Sequence, residues 1–314
     1  MIPTSLPLHV LILTHNEERH IARAIRSVAP FARYVTLVDS FSSDRTVEIA
    51  QSLGATVLQR PWINYADQFR WGLAQIANDA EWIMRLDADE VIEPDLSERI
   101  LEDLPKLDAG VVGINIDRKH IFMGRWIRHG GRYPLTLLRI FRKGAGRIEQ
   151  RWMDEHILVD GGTVHFKGGF SDQNLNDLTF FTEKHNKYAV REAIDILNGK
   201  YHLIEGDGSL TSKSTSHQTW IKRLIKEKIY NQMPFWLGPS AYFFYRYLFQ
   251  LGFLDGREGL IYHFLQGYWY RFLVGAKVFE YEAELSKVPT RAEKLATLER
   301  LTGHKLGAEP AASR

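Results

Sequence analysis

The chain has 314 residues, 45% of them apolar, a formal net charge of +2 and no cysteine. That length and apolar content allow a sizeable core and exclude wholesale disorder, while the near-neutral balance calls for no nucleic-acid partner. The missing cysteines exclude disulfides, thiolate catalysis and cysteine-ligated zinc.

Residues Met1–Pro7 lack a basic region followed by a long apolar run, so no secretory signal is expected. No stretch offers about 18 uncharged apolar residues, so no transmembrane span is expected. Val10–Leu13 is a short apolar run that ends at Thr14-His15-Asn16-Glu17-Glu18. Ile21, Ala24, Ile25 and Val28 then follow helical spacing. Tyr34–Val38 is the next strand pattern and ends at Asp39. Ser42-Ser43-Asp44 offers N-caps for a helix carrying Val47, Ile49, Ala50 and Leu53. Gly54 stops that helix, and Ala55–Leu58 predicts a third strand. Ala66–Asn78 carries Phe69, Leu73 and Ile76 at helical spacing. A fourth apolar run, from Trp82, ends in Asp87-Ala88-Asp89-Glu90.

Strands alternating with helices predict βαβ units on a mostly parallel sheet, an α/β fold. Right-handed crossovers place the four strand ends along one edge, where open α/β sheets bind ligands. Thr14, Asn16, Asp39 and Asp87 converge there. Asp-x-Asp alone is weak, since most such pairs are solvated turn residues. At a strand's carboxyl end, however, both carboxylates can lean toward one hard cation that bridges to phosphates. Neither Gly-x-Gly-x-x-Gly after the first strand nor a Walker Gly-x-x-x-x-Gly-Lys is present, which disfavours dinucleotide and P-loop readings.

Residues 110–170 carry short apolar runs (Val111–Ile114, Leu135–Phe141, Thr163–Phe166) between Gly-rich turns and predict antiparallel additions to the sheet edge. Residues 178–198 read as a helix, and Tyr201–Ser216 as a polar connection. Trp220–Tyr230 places Ile221, Leu224, Ile225 and Ile229 on one stripe, with Lys222, Arg223, Lys226 and Lys228 around it. Phe235–Leu254 is dense in aromatic residues, and Leu260–Tyr281 is a further apolar helical pattern. A basic amphipathic helix beside aromatic segments suits an anionic membrane surface, against the plainer reading of helices packed on the first domain. The same aromatic face would also serve a dimer, so the oligomeric state stays open.

Thr14-His15-Asn16-Glu17-Glu18, Val38-Asp39-Ser40, Ser43-Asp44-Arg45-Thr46 and Asp87-Ala88-Asp89-Glu90 together resemble family 2 glycosyltransferases with the GT-A fold. The chain is most similar to the bacterial WaaE-like group that builds lipopolysaccharide core or exopolysaccharide. Gly130-Gly131-Arg132-Tyr133-Pro134 with Leu138–Arg142 looks like the acceptor-side segment. Met153-Asp154-Glu155-His156 looks like the segment of the catalytic base, and Gly252-Phe253-Leu254-Asp255-Gly256 like the group's C-terminal Phe-Leu-Asp-Gly. The resemblance implies that Thr14, Asn16, Glu17 and Asp39 hold base and ribose, with Arg70 on the diphosphate. It implies Asp87 near ribose and metal, Asp89 as metal ligand and His165 as a third ligand, with Mn²⁺ or Mg²⁺ as the cofactor. Glu155 is the implied general base, with Asp154 as competitor. The expected reaction is inverting transfer of one sugar, glucose from a UDP-linked donor, to a lipid-borne glycan acceptor. The expected place is the cytoplasmic face of the bacterial inner membrane, held peripherally.

The plainer readings are specific. Glu17 and Glu18 can simply favour a helix N-terminus, Asp39 can be a turn residue, and a lone histidine is more often structural than a ligand. Departures also show. His15 replaces a usual tyrosine, Phe41 and Arg45 replace usual glycines, and Arg132 replaces a usual aromatic residue. The processive Gln-x-x-Arg-Trp is absent, Gln150-Arg151-Trp152 having the wrong spacing. The expected organisation is a GT-A nucleotide-sugar and catalytic domain over 1–200, a flexible connection over 201–217, a membrane-associating helical region over 218–302 and a disordered tail over 303–314. The competing functions are a sugar nucleotidyltransferase, for which the first loop lacks a Gly-rich basic turn, and a non-catalytic binding module.

Overall fold

The computed structural model describes residues 5–76, 79–149, 156–204 and 236–306. The expectations for Asp154 and Glu155, for the connection from residue 205 on, for the basic stripe around Lys222 and for the tail from residue 307 lie outside the described residues.

β1 (Leu6–Thr14) runs down the middle of the sheet, parallel to β2 (Ala32–Asp39) on one side and to β4 (Trp82–Asp87) on the other. Its alternation sorts the core. Leu8, Val10 and Ile12 face the layer of α1 (Ile21–Val28) and α4 (Pro94–Asp103), while Leu11 faces α3 (Tyr65–Ala74). A strand buried on both faces reads as a near-continuous apolar run, as this one does. α1 buries Ile21, Ala24, Ile25 and Val28, the spacing of one helical stripe. α3 lies close to the sheet at Gly72, where a Cβ would meet Val38 and Leu11 side chains at 2.9 and 3.0 Å. α2 (Thr46–Ser52) and β3 (Thr56–Gln59) complete the parallel half, in spatial order β3-β2-β1-β4.

Beyond β4 the sheet continues as β8 (Leu135–Arg142), β6 (Val111–Phe122), β11 (Gly162–Gln173) and β5 (Glu90–Ile92), with β7 (Arg125–Ile127) beside β6. β8 and β6 are antiparallel additions, as expected, but β11 runs parallel to β6. The chain between them, including β7 and β8 and the pair β9 (Gly146–Ile148) and β10 (Ile157–Val159), returns to the end of the sheet where β6 began. The whole is an α/β fold of GT-A type, with an aromatic-rich helical region toward the C-terminus.

The chain divides into two compact units, Met1–Leu175 with Gly252–Gly259, and Asn176–Leu251 with Leu260–Arg314. The expected boundary at residue 200 therefore falls at 175. α5 (Leu178–Tyr201) buries Ala193, Ile194 and Leu197 against Tyr281 and Leu285 of α8 (Tyr270–Leu285), so it belongs with the later helices. The second unit also holds α6 (Leu237–Phe244), followed by a π-helical turn at Tyr245–Phe249. A helix opening as α7 (Gly256–Tyr262) passes through a π-helical turn, His263–Trp269, into α8. α9 (Arg291–Thr302) starts with a Thr290/Glu293 capping box and ends at Gly303, φ +72°. Of the described residues beyond Gly303, Leu306 is buried with Leu298, and its N–H donates to Glu299 at 2.6 Å.

Candidate active site

The carboxyl ends of β1, β2 and β4 lie side by side, with Thr14 in register with Asp39 and Leu13 in register with Asp87. The first two loops are zipped together. Asn16 N–H donates to Ser42 Oγ at 2.9 Å, and Asn16 Oδ1 accepts from Ser43 N–H at 2.9 Å. Glu17 N–H donates to Thr46 Oγ1 at 2.7 Å, and Glu18 N–H to Asp44 Oδ2 at 3.1 Å. Asp39 is fully buried. It accepts from Thr14 Oγ1 at 3.1 Å, Ser42 N–H at 2.9 Å and Gln59 Nε2 at 3.0 Å, and from the Ser42 hydroxyl. Asp39 thus shapes the second loop, and its lone pairs are occupied. Glu17 is likewise engaged: its Oε2 meets His20 Nδ1 at 2.7 Å, and His20 Nε2 accepts from Leu175 N–H at 2.8 Å. Phe41 stands at the crest of the second loop, 54% exposed with φ +57°. A bulky residue held at positive φ is strained, and such strain clusters at functional sites. In sequence it marked only a departure from glycine.

Around the Asp-x-Asp turn the structure gathers a charge network. Asp87 Oδ1 accepts from the Tyr65 hydroxyl at 2.7 Å and lies 3.6 Å from Arg85 Nε, and Oδ2 lies 3.3 Å from Arg139 Nη2. The Arg85 guanidinium sits 4.3 Å from the Tyr65 ring centre. Burial pushes the Tyr65 phenol well above its usual pKa and keeps it a donor. Burial would also raise Asp87, but Arg85 and Arg139 outweigh it and hold that carboxyl well below the usual range. Glu90 Oε2 accepts from Asp87 N–H at 2.9 Å, and Oε1 pairs with Arg139 and lies 3.5 Å from Arg118. Arg118 also reaches Asp172 at 3.5 Å, which faces His120 Nδ1 at 3.2 Å. Asp89 is half-buried; its Oδ2 accepts from Asn174 Nδ2 at 3.1 Å and its backbone O from Gln173 N–H at 3.0 Å.

Two expected site residues fall elsewhere. His165 sits on β11 opposite Asn115 of β6, six register positions from Gln173 opposite Ile121, roughly 20 Å along the strand from the Asp89 end. It pairs with Asp117 at 3.1 Å, away from Asp87 and Asp89. Arg70 is exposed on α3 five residues after Tyr65, about 140° round the helix from the side chain that reaches Asp87. The described residues contain no group of three histidine, aspartate or glutamate side chains arranged around a cation. What fits a cation is narrower: Asp89 as one hard oxygen ligand, with substrate phosphates completing the sphere, the usual habit of Mg²⁺. Asp87 fits less well, its oxygens being taken by Tyr65 and the arginines.

Tyr65, Glu90, Arg118 and Arg139 are the residues that sequence reasoning left without a role. Arg139 carried a signal: an arginine between Leu138 and Ile140 in an apolar strand must be paired if it is buried.

Comparison with known proteins identifies the family. The sequence model of Glycosyl transferase family 2 matches residues 9–169. An uncharacterized glycosyltransferase of Rickettsia typhi is 41% identical over 209 residues, covering 59% of this chain and 68% of that protein. Another from Rickettsia bellii is 43% identical over 93 residues, 30% of this chain and 31% of its own length. Among solved structures, glucosyl-3-phosphoglycerate synthase of Mycobacterium tuberculosis in complex with Mn²⁺ and UDP aligns at 20% identity and a TM-score of 0.30. That alignment covers 36% of this chain and 43% of the synthase, too partial an overlap to carry a functional inference.

Proposed function

Since the chain belongs to glycosyl transferase family 2, we propose that it moves one sugar, glucose, from a UDP-linked donor to a lipid-borne glycan acceptor, with inversion. The acceptor is assigned to lipopolysaccharide or exopolysaccharide synthesis. The observation that carries the reading is the Asp87-Ala88-Asp89 turn at the carboxyl end of β4, beside the interlocked loops after β1 and β2. Thr14, Asn16 and the exposed Phe41 line the nucleotide side of that edge. Asp89 is assigned to a divalent cation, Mn²⁺ or Mg²⁺, which when bound stabilises negative charge on the leaving diphosphate.

The acceptor oxygen attacks C1 of the donor sugar from the face opposite the diphosphate. The C1–O bond to phosphate breaks, and its electron pair leaves with UDP. Glu155, or its neighbour Asp154, takes the acceptor hydroxyl proton. A single displacement inverts the anomeric centre without a covalent enzyme intermediate. The test is calorimetric titration of UDP into the full chain, with Mn²⁺ and with chelator. Mn²⁺-dependent binding is expected. If neither UDP nor a panel of other nucleotides binds, the glycosyltransferase reading of this site fails.

Membrane association is part of the proposal. No helix among the described residues is long and apolar enough to cross a membrane. Phe244, Tyr245, Leu248 and Phe249 are exposed on the turn after α6, Phe249 by 78%. An exposed aromatic cluster in a chain that also carries the basic sequence Lys222–Lys228 fits a peripheral anchor. Changing Lys222, Arg223, Lys226 and Lys228 together to glutamine should weaken binding to anionic vesicles by about 100-fold or more in a flotation assay. Unchanged flotation would remove that stretch from the anchor.

A further inference from the structure

Asp255 lies in a short 3₁₀ turn, Gly252–Asp255, which returns to the first unit after the intervening helices. Its carboxylate is 2% exposed. Both oxygens end on one residue far back in sequence: Oδ2 accepts from His129 N–H at 2.9 Å, and Oδ1 meets His129 Nδ1 at 2.7 Å. An ionised carboxylate only accepts, so Nδ1 carries the proton, and in the neutral tautomer this fixes, Nε2 is the lone-pair acceptor. The His129 side chain is 33% exposed, and Nε2 has no partner among the described residues. The turn is also held at its flanks. Arg125 Nη2 donates to Leu254 O at 3.3 Å, and at Gly256 (φ +72°) a Cβ would meet Arg125 Nη1 at 3.1 Å.

The place of this pair follows from strand register. Asp89 bonds to Gln173, Gln173 pairs with Ile121, and Ile121 pairs with Trp126 of β7. Three strand spacings are about 14 Å, room for a donor sugar and an acceptor ring beside it. His129 leaves β7 two residues after Ile127. Trp126 packs edge-on against Tyr133 at 4.9 Å, and its Nε1 has no hydrogen-bond partner among the described residues. An aromatic wall beside a fixed acceptor atom is chemistry that suits a sugar.

We propose that His129 Nε2 accepts a hydrogen bond from a hydroxyl of the acceptor sugar, and that Asp255 is the positioning residue that sets the His129 tautomer. This rests on the glycosyltransferase reading above.

His129→Asn and His129→Gln separate a binding role from a structural one. Asparagine keeps a donor near Nδ1 for Asp255 but loses Nε2; glutamine keeps an acceptor near Nε2 but loses the bond to Asp255. The measurement is transfer from UDP-glucose with Mn²⁺ to a set of methyl hexosides by the full chain, with UDP affinity and melting temperature measured alongside. His129→Asn should raise the acceptor KM about 10-fold while UDP affinity and melting stay unchanged, and His129→Gln should stay closer to wild type. Asp255→Asn, whose amide can donate to Nδ1 and shift the ring proton to Nε2, should behave like His129→Asn. A harmless His129→Asn with a damaging His129→Gln would assign the pair to structure alone and overturn the proposal. So would wild-type enzyme that binds UDP yet uses none of the methyl hexosides. Wild type that binds neither UDP nor any of the other nucleotides would instead sink the glycosyltransferase reading.

Discussion

Replacing Asp89 with alanine is expected to abolish Mn²⁺-dependent UDP binding and to slow transfer roughly 10³-fold, with little change in melting temperature. The two effects separate because of where Asp89 stands. It follows β4 in the turn, half-buried, and its carboxylate accepts from the Asn174 amide at 3.1 Å. Losing that bond costs about 1 kcal/mol. The contact that ties the turn to β11 uses the backbone oxygen, which alanine keeps. The functional loss is large because charge on a departing diphosphate needs a cation held in place beforehand. Calorimetry with Mn²⁺ and with chelator, beside a thermal melt, reads both effects. Full activity in the folded variant would remove Asp89 from the site. Lost activity with a collapsed melt would show that the turn itself depends on the carboxylate.

How far the sequence carried this site depended on which signal each residue left. The parallel half of the sheet was legible because its strands are short apolar runs that each stop at polar residues, and because α1 and α3 keep a clear helical stripe. Strand ends at Thr14, Asp39 and Asp87 follow from that pattern alone. Asp39 shows the limit. Sequence places it on the ligand edge, but only coordinates show Thr14, Ser42 and Gln59 filling its lone pairs. Glu17 is similar, since nothing in its spacing announces that His20 will turn back onto it.

The place of His165 was not legible for a geometric reason. A strand of twelve residues spans most of the sheet, and without register there is no telling which end a residue occupies. The direction of β11 and the company of α5 were hidden for the same cause: both are set by contacts between distant segments, not by local pattern. The pairing of Asp255 with His129 joins residues from opposite parts of the chain, and only the return of the Gly252 turn to the first unit reveals it.

The second large effect concerns the buried pair beneath the Asp-x-Asp turn. Glu90 is 1% and Arg139 3% exposed, and each is the other's closest described counter-charge. Glu90→Leu should cost about 3–5 kcal/mol, because it takes the nearest counter-charge from a buried guanidinium that cannot shed its proton and leaves it the Asp87 carboxylate at 3.3 Å. Arg139→Met should cost less. Burial has already pushed the Glu90 carboxyl up to about 8, partly countered by Arg139, so without its partner Glu90 can take a proton and become neutral. The double variant Glu90→Leu/Arg139→Met should be more stable than Glu90→Leu alone, since it leaves no unpaired charge. The sign of the pH effect follows. A carboxyl whose folded pKa lies above its ordinary 4.5 binds more protons in the native state than in the unfolded state. The wild type should therefore lose the Glu90 contribution as pH rises from 4.5 through about 8, and Arg139→Met, without the guanidinium that lowers the Glu90 pKa, should go on losing stability above that range. Urea denaturation of the wild type and the three variants across that range and above it measures all of this. Equal destabilisation by the two single changes, or a double variant worse than Glu90→Leu, would show that the pair is not an isolated charge balance. The Asp87 main chain would feel the loss in either case, since its N–H donates to Glu90 at 2.9 Å. UDP affinity should consequently fall in Glu90→Leu even at temperatures where the variant stays folded, because the turn that carries Asp89 starts from that bond.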